Sequence, residues 1–397
     1  MTAVEVLIAT GLGICAGVFT GLMPGIHTNL VSTAVLSASS WFLGFTDVVT
    51  LSAFIISMAV VNTFLNVIPS IYLGAPDTET ALSVLPGHRM LLEGRGYDAV
   101  KLSTIGSYFG MIVVAACAPL LVLVMVSVSE VLQPWIGWLL LVIVVWMIAR
   151  EKNKSAAVFV FLLSGVLGLA VLNMNIEEPL FPLLSGLFGL STLLTSLNES
   201  VTIPEQKTGG GSVAGVKEIF STTGIASLFG TFVGFFPGIG PAQAAVAGAQ
   251  ILPRGNFLMM VGGIGSANMV ASLVTFYALD KSRNGAIVAV RELLQTITLA
   301  QFGMFLAVTL ISGSIAVMLT LYFAKRFSFW IQQVPYTGLC WFVILFIVVL
   351  VPVISGWMGV LVIVVSTLVG MVAPLLNVSR SQAMGCLLLP VILWFLV

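Results

Sequence analysis

From Val6 to Thr46 the chain runs for 41 residues without one Asp, Glu, Lys or Arg, and Pro24-Gly25 falls in the middle of that run. A membrane-spanning helix needs about 20 mostly apolar residues, so the run is long enough for two crossings. Proline removes a backbone donor and clashes with the preceding turn, and glycine loosens the chain, so the pair divides the run. Comparable stretches recur along nearly all of the 397 residues, among them "WLLLVIVVWMIA" at 138–149. At 59% hydrophobic and 8% charged residues, with a mean hydropathy of +1.15, no water-soluble globule of this size hides its apolar surface. The chain reads as a multi-pass protein of the cell membrane. Strands of a membrane β-barrel alternate apolar and polar residues; these runs are apolar throughout, which predicts an all-α polytopic fold.

Helical elements are predicted near 4–22, 27–44, 48–73, 102–127, 133–150, 155–174 and 178–197, then near 217–236, 239–252, 256–278, 294–324, 329–352, 355–376 and 380–397. Between the two groups lies "NESVTIPEQKTGGGSVAGVKE", with three consecutive glycines and most of the local charge, as expected of a surface connection. The predicted organisation is a first transmembrane repeat at 1–197, a polar linker at 198–216 and a second repeat at 217–397. An internal echo supports it. "GVFTGLMPGI" at 17–26 returns as "GTFVGFFPGI" at 230–239, six identities in ten at a constant offset of 213. A weaker echo pairs Tyr72 and Ala81 with Tyr277 and Ala286.

An odd number of elements per repeat sends the second copy into the membrane from the opposite side. The charges agree with that inverted topology: Arg89, Arg95, Lys101, Arg150, Lys152, Lys154, Lys207 and Lys217 all follow odd-numbered elements, which places those connections in the cytoplasm. Lys281, Arg283 and Arg291 break the rule locally, as an inverted copy of the inner Arg89–Lys101 segment would. Lys plus Arg and Asp plus Glu balance at 15 each, so nothing points to a nucleic-acid partner. Cys15, Cys117, Cys340 and Cys386 lack metal-ligand spacing and read as helix packing residues. No removable signal peptide is expected at the N-terminus.

The two Pro-Gly breaks carry the functional reading. In hydrocarbon, freed backbone groups survive only where protein or a watery cavity surrounds them. A helix restarting after such a break presents free N–H groups and its positive dipole end, a seat for a carboxylate or phosphate. Paired breaks in two halves point to a secondary transporter's midplane site. The candidate substrate-binding residues are Pro24, Gly25, Ile26, His27, Thr28 and Asn29, with Pro237, Gly238, Ile239, Gly240 and Gln243 in the second copy. Asn62, Asn66 and Asn268, polar residues inside apolar elements, join them as candidates for the substrate path or for helix–helix hydrogen bonds. Asn62 and Asn66 resemble the pair Ser266 and Asn268 of the second half. Gly17 with Gly21, and Gly230 with Gly234, place small residues on one helix face for close packing. The polar interruption at 72–102 suits a loop or a re-entrant segment, in which Asp77 and Glu79 are candidates for a coupling ion, H⁺ or Na⁺.

The segment "GAPDTET" followed by "LPGHRMLLEGRGYDAVKLSTIGSYFG" resembles the permease family of tripartite tricarboxylate transporters, the TctA-like proteins, with Gly74, Pro76, Gly87, Met90, Gly94 and Ala99 at the matching places. The chain looks like a divergent, short member. The resemblance implies a membrane subunit that moves small organic anions such as di- or tricarboxylates on an ion gradient. It also implies a small membrane subunit and an extracytoplasmic binding protein as partners, with a homo-oligomer possible and lipid all around. No enzyme signature is present: the chain has no His-Glu-x-x-His, no Gly-x-Ser-x-Gly and no nucleotide-binding Gly-x-x-x-x-Gly-Lys loop, so no cofactor is expected beyond the coupling ion. A polyprenyl-phosphate translocase is the alternative, since a helix N-terminus serves a phosphate as well as a carboxylate.

Overall fold

The computed structural model describes residues 3–23, 28–74, 84–132, 135–197, 204–209, 214–235, 241–249, 257–282, 284–333 and 335–396. The first half forms α1 (Ala3–Leu22), α2 (Thr28–Ser37), α3 (Ser39–Phe42), α4 (Val48–Leu65), α5 (Val67–Tyr72), α6 (Val84–Leu92), α7 (Gly96–Leu132), α8 (Ile136–Ala149), α9 (Lys154–Leu172), α10 (Leu180–Leu184), a π-helical turn at Ser185–Leu190 and α11 (Ser191–Leu197). The second half forms α12 (Val216–Phe235), α13 (Pro241–Ala249), α14 (Phe257–Leu279), α15 (Gly285–Leu294), α16 (Leu299–Ile331), α17 (Tyr336–Leu375), a 3₁₀ turn at Arg380–Met384 and α18 (Gly385–Leu396). There is no strand among the described residues. Eight of their helices are long and apolar enough to cross a membrane.

The last of these eight, Cys340–Leu375, has 36 residues. As one helix it would be about 54 Å long, well beyond a bilayer. It is two helices. Gly356 sits at φ 66°, ψ −174°, a conformation essentially restricted to glycine, and turns the chain back on itself. A Cβ on Gly359 would lie 3.1 Å from Val351, eight residues earlier; in a continuous helix those residues would be about 12 Å apart. With α17 counted as two arms, the elements follow the sequence expectation closely, apart from three features. The element at 27–44 is divided at Ala38 into α2 and α3. Two short helices, α6 and α15, occupy the polar stretches after the third element of each half, where the sequence marks no helical element. Each is followed by a left-handed residue, Gly94 (φ 78°) and Gln295 (φ 61°).

Close glycine packing sets how the central helices lie. Along α1, Gly13, Gly17 and Gly21 meet Phe54–Ser57, Met58–Val61 and Asn62–Leu65 of α4 in turn, so the two helices run parallel. In the second half, Gly230 and Gly234 of α12 meet Ile264–Ala267 and Asn268–Ala271 of α14, again parallel. Side chains at Gly17, Gly21, Gly230 or Gly234 would come within 3 Å of atoms on the facing helix, so the small residues are what permits the approach. The expected packing role of these four glycines is thus seen directly. The register equates Asn62 with Asn268 and Asn66 with Ser272, a different alignment from the Ser266–Asn268 pairing suggested by sequence.

Each central helix is also covered by the other half. Gly106 and Gly110 of α7 lie against Met259 and Gly263 of α14 in parallel register, and α16 packs along α4. Since α7 starts beside the end of α5, where Gly96 faces Tyr72, α7 and α14 run opposite to α4. Tyr72, fully buried, donates its hydroxyl hydrogen to the Ala324 carbonyl at 3.0 Å and accepts from Ser328 at 2.6 Å, which ties the end of α5 to α16.

The linker is not merely a surface strand. Buried Gln206 accepts from the Gly96 amide at 2.9 Å through Oε1, and its Nε2 donates to the carbonyls of Leu91 and Pro204, both at 2.9 Å. Lys207 N–H donates to the Gly94 carbonyl at 2.9 Å. These bonds dock residues 204–207 onto the turn between α6 and α7. The four cysteines are free, with Cys340 and Cys386 buried and Cys15 and Cys117 on the outer surface of the bundle.

Candidate functional site

The structure describes the helices on either side of the two Pro-Gly pairs. On one side α1 ends at Leu22 and α2 begins at Thr28; on the other α12 ends at Phe235 and α13 begins at Pro241. Of the residues expected to bind substrate, Pro24, Gly25, Ile26 and His27, and Pro237, Gly238, Ile239 and Gly240, lie outside the described residues, as do Asp77 and Glu79. Thr28 is the first residue of α2 and is half-buried. Asn29 and Gln243 fall in the first turns of α2 and α13.

Asn62, Asn66 and Asn268 are all buried, and their surroundings differ. Asn62 Nδ2 donates to the Thr20 hydroxyl at 3.1 Å, and that hydroxyl donates in turn to the Gly17 carbonyl at 3.2 Å. This chain of bonds fastens α4 to the C-terminal turn of α1. Asn66 sits at the junction of α4 and α5, where its N–H donates to the Asn62 carbonyl at 2.9 Å and its carbonyl accepts from Ser70 at 2.9 Å. In the second copy the position of Thr20 is taken by Val233. Asn268 Oδ1 and Ser272 Oγ have no hydrogen-bond partner among the described residues. Ser272 was not singled out from sequence; its spacing of one turn from Asn268, repeating that of Asn66 from Asn62, is the signal that would have found it.

An apolar cleft of about 420 Å³ opens beside the first break, lined by Leu22 and Met23 from the end of α1, Leu73 after α5, Phe327 and Trp330 of α16 and Phe342 and Phe346 of α17, with Arg326 at its edge. His88 of α6 is buried nearby, with Nδ1 3.0 Å from the Ile71 carbonyl. Burial holds its pKa below the ordinary histidine value, against the opposing pull of that carbonyl. At the start of α4, burial raises the Asp47 carboxyl, but bonds from the Thr50 hydroxyl and the Val49 and Thr50 amides outweigh it and hold the group below its usual value.

A bundle with eight helices long and apolar enough to cross a bilayer among the described residues, and with neutral polar side chains in its interior, is a multi-pass membrane protein. The model of the tripartite tricarboxylate transporter TctA family matches residues 7–385. The chain belongs to that family, whose members are transporters, not enzymes, and form part of tripartite systems. It is similar to an uncharacterized protein of Methanocaldococcus jannaschii, at 29% identity over 410 residues that cover 97% of this chain and 98% of the relative. No solved structure matches the chain.

Proposed function

We propose that this permease carries small organic anions of the di- or tricarboxylate class by alternating access, driven by an ion gradient, with the anion held between the two helix breaks. The observation that carries the reading is the pair of like helix frames, α1 with α4 and α12 with α14. Each is parallel within itself and glycine-packed, each ends at a Pro-Gly, and they run in opposite directions. Two inverted repeats of this kind bring helix ends of opposite polarity to the membrane midplane. The N-termini of α2 and α13 then offer free N–H groups to a carboxylate.

The end of the bundle with α6, the linker and the C-terminal part of α16 gathers Arg89, Arg95, Lys207, Lys325 and Arg326, and we assign it to the cytoplasm. In this orientation a binding protein delivers substrate at the opposite face, near α15 and Asp47. The test is uptake of radiolabelled citrate and shorter dicarboxylates into proteoliposomes, with any small membrane subunit and binding protein co-reconstituted. Uptake lost in Gly25→Leu and in Gly238→Leu, with unchanged elution on size exclusion, supports the reading; uptake retained in both variants overturns the site.

A further inference from the structure

We infer that the second half-site holds a coupling Na⁺, bound by the side-chain oxygens of Asn268 and Ser272 beside the end of α12. The inference rests on the carrier reading above and assigns its ion. Two buried oxygens on one helix face lack a partner: Asn268 is 4% and Ser272 0% exposed, and Asn268 Oδ1 and Ser272 Oγ accept and donate nothing among the described residues. Other buried hydroxyls also lack a partner among the described residues, those of Ser266, Ser312 and Thr320 among them; Asn268 and Ser272 differ in lying one turn apart against the last turn of α12. Elsewhere in the bundle Thr10, Ser57, Thr63, Ser70, Thr104, Ser227 and Thr309 all satisfy themselves by donating to the carbonyl four residues back. The matching asparagine, Asn62, donates its Nδ2 to Thr20, and Val233 at the matching place offers no side-chain acceptor.

A buried amide and hydroxyl left unpaired cost free energy unless something fills the site. Oxygens are what a hard cation requires. Gly234 lies against the Asn268 carbonyl and the Ser272 amide, which brings the last turn of α12 to the same place. There the Val233 carbonyl has no helical donor, because Pro237, four residues on, carries no N–H. The C-terminal end of α12 adds its negative dipole. The helices that form the site bring no carboxylate or histidine to it: from Ile219 to Leu279 the chain has no Asp, Glu, His, Lys, Cys or Tyr except Tyr277, and its only charged residue is Arg254. Neutral amides and hydroxyls do not take up protons near neutral pH. Neighbouring α13 offers the opposite polarity at its N-terminus, so an anion there and Na⁺ at Asn268 each lower the cost of binding the other.

The experiment is thermal unfolding of the purified, substrate-free protein in detergent, titrated with NaCl against KCl and choline chloride at constant ionic strength. The expected result is a Na⁺-specific rise in Tm whose apparent affinity weakens at least about tenfold in Asn268→Ala. Ser272→Ala fits the same space, removes one oxygen and gives the same direction of change should Asn268→Ala fold poorly. Asn62→Ala, the matched substitution in the first copy, keeps the Na⁺ response. Absence of a Na⁺-specific shift in the wild type overturns the inference, as does an unchanged Na⁺ affinity in both second-copy variants. Citrate uptake driven by a pH gradient in Na⁺-free proteoliposomes removes the ion assignment and leaves the carrier standing. A Na⁺-specific shift without uptake of any carboxylate does the reverse.

Discussion

The frames formed by α1 with α4 and by α12 with α14 share their backbone geometry and differ in their polar chemistry. Gly17 and Gly21 do for the first pair what Gly230 and Gly234 do for the second. Yet Asn62 Nδ2 donates to Thr20, whereas Val233 stands at that place in the second pair and Asn268 Oδ1 has no partner among the described residues. The difference teaches that packing and ligand chemistry are specified by different residues on the same helices. Small residues, one turn apart, fix how close the helices come. The side chains between them decide whether the resulting interior is closed by internal hydrogen bonds or left for a ligand.

The harshest way to break the comparison is to remove the shared feature. Gly17→Val and Gly230→Val each place a side chain against backbone and Cβ atoms of the facing helix, under 3 Å from Met58 O and Ile264 O respectively. Each is expected to cost about 3 kcal/mol, at the upper end for overpacking. The loss is read as a fall in detergent Tm, with Gly11→Val as the control, since nothing lies within 4 Å of a Cβ there. A large loss in one copy and none in the other would show that the two frames are not alike.

A smaller effect separates the two tyrosines that follow the central helices. Tyr72 is hydrogen-bonded to Ala324 and Ser328, so Tyr72→Phe leaves a buried carbonyl and hydroxyl without it and is expected to cost about 1–2 kcal/mol. Tyr277 instead stacks on Phe302, with ring centroids 4.6 Å apart and planes 16° from parallel. Tyr277→Phe keeps that stack and is expected to be silent. Equal losses in the two variants would deny the contrast. The two asparagines give a finer version in Na⁺-free buffer. Asn62→Ala costs about 1 kcal/mol through its bond to Thr20, whereas Asn268→Ala removes an oxygen that has no partner among the described residues and is expected to cost less.

Much of this frame was legible from residues alone. Uninterrupted apolar runs gave the helices, and the recurring glycines at 17 and 21 and at 230 and 234 gave the close helix pairs, because close approaches need small residues. What stayed hidden depends on partners far away in the chain. That Asn62 meets a hydroxyl is decided by Thr20 on another helix. Gln206 is an ordinary polar residue in a polar linker until Gly96 and Leu91 are beside it. α6 and α15 were missed because Arg89 and Glu93, or Arg291 and Glu292, interrupt stretches too short to show a clear apolar period. The pairing of Asn62 with Ser266 failed by two residues, since similar composition along two apolar helices does not set their register.

Near neutral pH those two short helices carry the smallest expected effect. Aligned on Arg89 with Arg291 and Leu91 with Leu293, they set buried His88 of α6 opposite buried Val290 of α15. Burial lowers the folded-state pKa of His88 below its value of about 6.5 in an unfolded chain. The unfolded state therefore takes up a proton that the native state refuses. Stability is unaffected well above pH 6.5 and falls as the pH drops through it, by at most about 0.4 kcal/mol at pH 6.5 and about 1.4 kcal/mol per further unit. His88→Val, which copies α15, removes this dependence. Chemical unfolding between pH 8 and pH 5.5 should give wild-type and variant curves that run parallel above pH 7.5 and diverge below it, the wild type losing more. Curves that stay parallel to pH 5.5 would mean that His88 exchanges its proton freely with water, and that α6 is less tightly covered than α15.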